Sequence, residues 1–250
     1  MIRWGPSRTK AITQLHRLNA ENPVNMPTHL IELIEPIQRL AAAALDLILP
    51  PACAGCGRKI PPPLGPFCPA CAPCVISSDP HPPPPHVARA RAAVLYGGEV
   101  AVAIQQLKYG GAGHLARPLG KLLGSVAREA AGGLDIAAPV PLHPRRLRAR
   151  GFNQSALLAR VALRGVLPLH CSVLHRVRDT PAQASLDPGG RARWANVRGA
   201  FSAAGSVAGL RVLVVDDVTT TGATASACAA ALLRAGAAEV HLLTLARAVP

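Results

Sequence analysis

The chain has 250 residues, half of them hydrophobic, 16% charged and only 3% aromatic, with 25 prolines and 22 glycines. That length buries a core without crosslinks and suits one or two domains, and the apolar share excludes a wholly disordered polymer. With 27 basic residues against 13 acidic ones the formal charge is +14, which points to an anionic partner: nucleic acid, a phosphorylated metabolite or a lipid.

The best candidate for a membrane span, Leu30 to Leu49, carries Glu32, Glu35, Gln38, Arg39 and Asp46, so no membrane insertion is expected. The N-terminus lacks an apolar run followed by a small-residue cleavage site, which makes a reducing cytoplasm the default. There, seven cysteines imply metal binding or burial rather than disulfides. Residues 1–27 show no period and read as a disordered tail. Residues 28–50 place Leu30, Leu33, Ile34, Ile37, Leu40, Ala41, Ala44, Leu45 and Ile48 at a 3.6-residue period, an amphipathic helix that Pro36 kinks or restarts. A cysteine-rich segment follows at 51–78, then a stiff proline-rich linker at 79–87.

From residue 88 to the end, short β-rich runs alternate with helical ones, the pattern of a parallel α/β sheet flanked by helices. Predicted strands are Ala92–Tyr96, Ile136–Val140, Ser172–Val177, Arg211–Val215 and Val240–Leu245. Predicted helices are Glu99–Lys108, Leu115–Ala131, Asn153–Leu163 and Ala223–Ala235. Between them, Arg178 to Asn196 is long, polar and aperiodic, as a functional lid would be.

Cys53-Ala-Gly-Cys56 and Cys68-Pro-Ala-Cys71 form two Cys-x-x-Cys pairs, the spacing with which two knuckle turns deliver four thiolates to one tetrahedral Zn²⁺. Four thiolates leave no open position, so the predicted site is structural. A segment this short and this rich in Pro and Gly cannot bury its own core, and metal binding would supply its folding energy. Cys68, Cys71 and Cys74 also spell C-x2-C-x2-C, but the fourth ligand and following proline of a ferredoxin run are missing. Cys171 and Cys228 sit in apolar surroundings and are expected in the core.

Arg211-Val-Leu-Val-Val-Asp-Asp-Val-Thr-Thr-Thr-Gly-Ala-Thr224 is a buried strand ending in two acids, followed by a Thr/Gly turn that opens a helix. In open α/β sheets ligands bind beyond strand C-termini, where helix N-termini present free N–H groups. The turn from Thr219 to Gly222 can wrap a phosphate. Asp216 and Asp217 would repel that phosphate, so they must meet sugar hydroxyls or a bound Mg²⁺. It is neither a Walker loop nor a Rossmann turn. Helix capping accounts for one acid or one Thr, but not for two acids and three threonines.

This stretch resembles the phosphoribosyl-pyrophosphate (PRPP) motif of type I phosphoribosyltransferases. Leu107-Lys-Tyr-Gly110, Pro139-Val-Pro-Leu-His143, Arg148-Ala-Arg-Gly-Phe-Asn-Gln154, Gln183 and Arg193-Trp-Ala-Asn-Val-Arg-Gly-Ala-Phe201 resemble, more narrowly, the ComF family, including its N-terminal zinc ribbon. The resemblance covers about 200 of the 250 residues and implies a type I phosphoribosyltransferase-like domain at 88–250 behind a zinc ribbon at 51–78. Asp216 and Asp217 would hold the ribose, and Thr219, Thr220, Thr221, Gly222 and Thr224 the 5′-phosphate. It further implies Mg²⁺ with PRPP, a competence and DNA-uptake context, and one structural zinc on Cys53, Cys56, Cys68 and Cys71. Two departures stand out: a second cysteine-pair set has shrunk to Cys74, and Ala192 replaces the acid that often precedes the arginine of Arg193-x-x-Asn196.

His143 to Gly151 packs four arginines after the Ile136–Val140 strand, and guanidinium forks suit pyrophosphate. By family analogy Pro141 to Gly151 is the pyrophosphate loop, with Arg150 as the leading candidate; the alternative is a solvated basic face or a nucleic-acid contact. Lys108, His143, Gly151, Arg178, Gln183, Arg193 and Asn196 complete the pyrophosphate and lid set. Lys108 could equally complement a helix dipole. The favoured expectation is phosphoribosyl transfer to an unknown acceptor. The competing one is a non-catalytic competence accessory that binds PRPP or single-stranded DNA, against which scarce aromatics weigh. Competence-machinery proteins and a second copy of the chain stand as further candidate partners.

Overall fold

The computed structural model describes residues 52–60, 65–180 and 191–249. The predicted tail, the amphipathic helix at 28–50 and Gln183 lie outside them. The described chain builds β1 (Arg89–Leu95), α1 (Gly98–Tyr109), α2 (Ala116–Ala130), β2 (Ile136–Pro139), α3 (Pro144–Arg150) and α4 (Gln154–Ala162). It continues through β3 (Leu174–Arg176), α5 (Arg191–Val197), β4 (Phe201–Ala203), β5 (Arg211–Thr219), α6 (Ala223–Arg234) and β6 (Glu239–Arg247).

Four strands form one parallel sheet in the order β1-β6-β5-β2. Alternation along β5 divides the core in two. Leu213 and Val215 join α1, α2 and α4 on one face, whereas Val212 and Val214 join α6 and the β3–β4 pair on the other. Both long strands are buried on both faces, which is why they read as continuous apolar runs rather than alternating ones. The outer edge of β1 is covered: the Ser78 N–H donates to the Ala93 carbonyl at 3.1 Å and the Leu95 N–H to Ile76 at 2.8 Å.

Three expectations need correction. The predicted Ser172–Val177 strand is shorter and does not enter the main sheet; β3 pairs antiparallel with β4, a strand the pattern did not suggest because it is three residues long. The expected pyrophosphate loop is largely helical: His143 caps α3 through an Nδ1 acceptor 3.4 Å from the Arg145 N–H, and Pro144 pre-sets the first turn. Cys171 is exposed rather than in the core, while Cys228 is fully buried as expected. In addition, β5 runs on beyond Val215 to Thr219, so the acid pair lies within the strand. Among the described residues no helix is long and apolar enough to cross a membrane.

The cysteine segment packs on the sheet domain. Cys53, Ala54, Ile60, Phe67, Cys68 and Cys71 share one apolar cluster with Val100, Ala103, Ile104 and Leu107 of α1.

Candidate functional site

At the C-terminal end of β5, adjacent residues of a strand face opposite ways, so the two acids acquire different partners. Asp217 is 3% exposed and turns toward the α1 side, where Lys108 Nζ approaches its Oδ1 at 2.9 Å. Its Oδ2 is buried with no hydrogen-bond partner. Burial disfavours the Lys108 ammonium, but the Asp217 carboxylate outweighs it and holds Lys108 above the usual lysine range. Asp216 Oδ1 accepts from Ser155 Oγ at 3.0 Å and from the Asp217 N–H at 2.9 Å. Burial, followed by the Asp217 charge, pushes its carboxyl up to about 7. Ser155 is in place because Asn153 caps α4, its Oδ1 accepting from the Ser155 N–H at 3.0 Å while its Nδ2 donates to the Val140 carbonyl at 3.0 Å.

Beyond the acids, Thr219 ends β5 and Gly222 stands as the residue before α6 with φ of +74°, a left-handed conformation suited to glycine. Thr221 Oγ1 accepts from the Ala223 N–H at 3.4 Å, and Thr224 falls in the first turn of α6. A small concavity of about 20 Å³ is lined by Asp216, Thr219, Thr220, Gly222, Thr224 and Thr244, whose buried Oγ1 has no partner. Thr220 Oγ1 accepts from Arg193 Nη1 at 3.2 Å, so α5 reaches the turn.

The basic residues divide into two groups. Arg150 Nη1 donates to Gln154 Oε1 at 2.6 Å and its guanidinium lies 5.1 Å from the Tyr109 ring, next to Lys108; Gly151 closes α3 at φ of +82°. Arg145, Arg146 and His143 instead gather around Asp179, at 3.7, 3.4 and 3.9 Å, and Arg146 also donates to the Thr180 carbonyl. Arg178 donates to the Arg198 carbonyl at 2.5 Å, tying the turn after β3 to the end of α5. Asn196 lies on α5, half-buried. Sequence reasoning missed Ser155 and Thr244. Arg176 stacks 5.4 Å from Phe201, and burial, then the Arg146 charge, lower its pKa. Single Ser or Thr residues in separate elements carry no local pattern that could have marked them.

The second candidate site is the cysteine cluster, where the sulfurs of Cys53, Cys56, Cys68 and Cys71 all lie within 4.8 Å of one another. Tetrahedral thiolates at a Zn–S distance near 2.3 Å stand about 3.8 Å apart, and Cys56 Sγ lies 3.8 Å from Cys68 Sγ. Burial opposes ionisation of Cys53, yet backbone donors from Cys56, Cys68 and Gly55 prevail and hold its thiol down at about 6. Burial and the neighbouring thiols push Cys71 up. The donor set therefore fits a structural zinc, which would take the place of the thiol protons. At the acid pair, the unpartnered Asp217 Oδ2 is the atom that would suit Mg²⁺ or a sugar hydroxyl.

A parallel sheet with acids and a threonine turn at a strand C-terminus defines a phosphoribosyltransferase-like α/β protein, and a phosphoribosyl transferase domain model matches residues 170–249. The chain is 36% identical over 161 residues to DNA utilization protein YhgH of Escherichia coli O157:H7, covering 61% of this chain and 69% of the relative. It is 32% identical over 158 residues to Competence protein F of Haemophilus influenzae, covering 60% and 68%. The chain belongs to this ComF family. Against a solved glutamine PRPP amidotransferase from B. subtilis in complex with ADP and GMP, identity is 26% and the TM-score 0.36, over 51% of this chain and 26% of that one.

Proposed function

We propose that the chain binds PRPP with Mg²⁺ at the end of β5 and transfers the phosphoribosyl group to an acceptor, releasing pyrophosphate. The reading rests on one arrangement: a carboxylate pair held by Lys108 and Ser155 immediately ahead of a threonine turn at the N-terminus of α6. Backbone N–H groups and hydroxyls of Thr219 to Thr224 face the 5′-phosphate, while Asp216 and Asp217 accept from the ribose hydroxyls. Loss of pyrophosphate from C1 leaves an oxocarbenium-like sugar; the two carboxylates lie beside it, and Arg150 and Lys108 draw the departing negative charge. Bound Mg²⁺ would neutralise part of the pyrophosphate. Residues 181–190 of the expected lid lie outside the described residues; from its described end, Arg193 ties α5 to Thr220 and is placed to help exclude water from the cationic sugar. This chemistry belongs in the cytoplasm, in the DNA-handling context that the relatives' names describe.

The test is calorimetric titration of PRPP with Mg²⁺ into the wild type and the Asp216→Asn/Asp217→Asn variant, with pyrophosphate release followed in parallel. Binding is expected in the wild type and absent in the folded variant. Equal binding by both would remove the acids from the site.

One surface favours a second reading, in which the protein handles single-stranded DNA. Trp194, 36% exposed, stands with His86, Arg198 and Arg234 around a groove of about 520 Å³ floored by Ala227 and Ala230, with no acid in its lining. A stacking ring beside uncompensated cations suits a base and its phosphate. Oligothymidine should quench Trp194 fluorescence with an affinity that falls steeply with salt, and Trp194→Ala should weaken it.

A further inference from the structure

The cysteine segment and the linker that follows it touch the candidate site along two separate routes. At its first knuckle, Gly55 lies so close to the opening turn of α1 that a Cβ there would come 2.7 Å from both Cβ and Cγ of Glu99. The same helix is fused to the segment by the apolar cluster of Ile60, Phe67, Val100 and Ile104, and its last turn carries the Lys108 that pairs with Asp217. A twelve-residue helix transmits a displacement of one end to the other. The second route runs through the linker. Pro84 packs on Gly222, where an added Cβ would meet the proline Cβ at 2.5 Å and Cγ at 3.0 Å. The Pro84 carbonyl accepts from the Val87 N–H at 3.1 Å, and Val87 is buried in the α6-side core, so the proline cannot drift away. One route ends on the acid pair, the other on the turn between Thr219 and α6.

We propose that the cysteine segment and the linker behind it form a positioning clamp for the phosphoribosyl site, with Gly55 of the metal-loaded segment seating α1 behind Lys108 and Pro84 of the linker bracing Gly222 independently of the ion. The dependence on metal follows from size. Among the described residues of the segment only Ala54, Ile60 and Phe67 are buried apolar side chains besides the cysteines, so removing the ion unfastens the knuckle that seats Gly55 on Glu99, whereas Pro84 is held by Val87 and keeps its place. The proposal rests on the PRPP reading for its ligand, although not for its structural coupling.

The experiment compares hydrogen exchange of the full chain before and after zinc removal with a chelator, and in two variants that retain all four cysteines. Gly55→Ala wedges the knuckle off Glu99, and Pro84→Gly removes the brace on Gly222. Far-UV circular dichroism checks that each protein remains folded. Zinc loss is expected to speed exchange at least fivefold in residues 104–109, with 216–224 changing less. Gly55→Ala should do so mainly in the first stretch and Pro84→Gly mainly in the second, with about one zinc still bound. Affinity for PRPP with Mg²⁺ should fall at least fivefold in every case. Faster exchange confined to residues 52–78, with 104–109 and 216–224 unchanged, would overturn the clamp. If chelation unfolds the whole chain, the two variants decide: unchanged exchange in both overturns it. Should holo wild type show the exchange coupling but bind no PRPP, the clamp stands and the ligand assignment falls.

Discussion

The four thiols and the two acids are both clusters of ionisable side chains, but they are assembled differently. The thiols come from one short stretch of chain, where two knuckle turns bring Cys53, Cys56, Cys68 and Cys71 together and backbone N–H groups turn toward the sulfurs. The acids are neighbours in sequence, yet the side chains that hold them come from elsewhere, Lys108 from α1 and Ser155 from α4, while Thr244 of the adjoining strand β6 lines the same concavity and Arg193 of α5 reaches Thr220 beside it. The first cluster can form as soon as its ligand is present. The second exists only when the sheet and both helical layers have closed around it, so it inherits the stability of the whole domain and is sensitive to changes far along the chain.

The sharpest way to test that contrast is to remove one remote partner. Lys108→Met leaves the Asp217 carboxylate buried without its cation, which should cost about 3–5 kcal/mol in urea denaturation. The double variant Lys108→Met/Asp217→Asn should recover most of that loss, because an amide needs no counter-charge. A single-variant loss below about 1 kcal/mol would mean that the pair is solvated rather than buried. A smaller effect belongs to the cap that delivers Ser155. Asn153→Ala removes the acceptor for the Ser155 and Ala156 N–H groups and the donor to Val140. It should destabilise the protein by about 1–2 kcal/mol, read from the same denaturation curves.

The same contrast decides what could be read before the fold was known. Paired Cys-x-x-Cys spacing states its own geometry, and the Asp216-Asp217 and threonine run announces a strand followed by a phosphate-sized turn, because both signals are contiguous. The main sheet was legible for the same reason: β5 and β6 are apolar enough to be buried on both faces, and α2, α4 and α6 end within a residue or two of the predicted bounds. Short, paired elements were not. Leu174–Arg176 carries a strand's composition, but its partner Phe201–Ala203 is fixed by tertiary contact, so nothing local reveals that the pair lies outside the sheet. Pro141 to Gly151 looked like a loop on account of its prolines and charges. Pro144 following a capping histidine instead starts a helix, which sends Arg145 and Arg146 toward Asp179 while Arg150 points to Tyr109. The division of labour among those arginines depends on helical phase, which the sequence did not display.

A pH-dependent effect separates the two acids from each other. Desolvation raises Asp216 from 3.8 to about 7, so between those values the native state holds a proton that the unfolded chain has already released. Stability from this group is complete below pH 4 and is lost as the pH rises through 7. Asp216→Asn has no proton to lose, so the difference in denaturation midpoint between variant and wild type should grow in the variant's favour from pH 4 to pH 8. Ser155→Ala removes the hydroxyl donor that favours the charged carboxylate, at a cost of about 1 kcal/mol above neutrality, and should carry the slope to higher pH. A flat difference from pH 4 to pH 8 would show Asp216 to be ionised throughout. In that case Ser155 and the Asp217 N–H suffice to hold the charge, and the two acids would be equivalent despite facing opposite sides of the sheet.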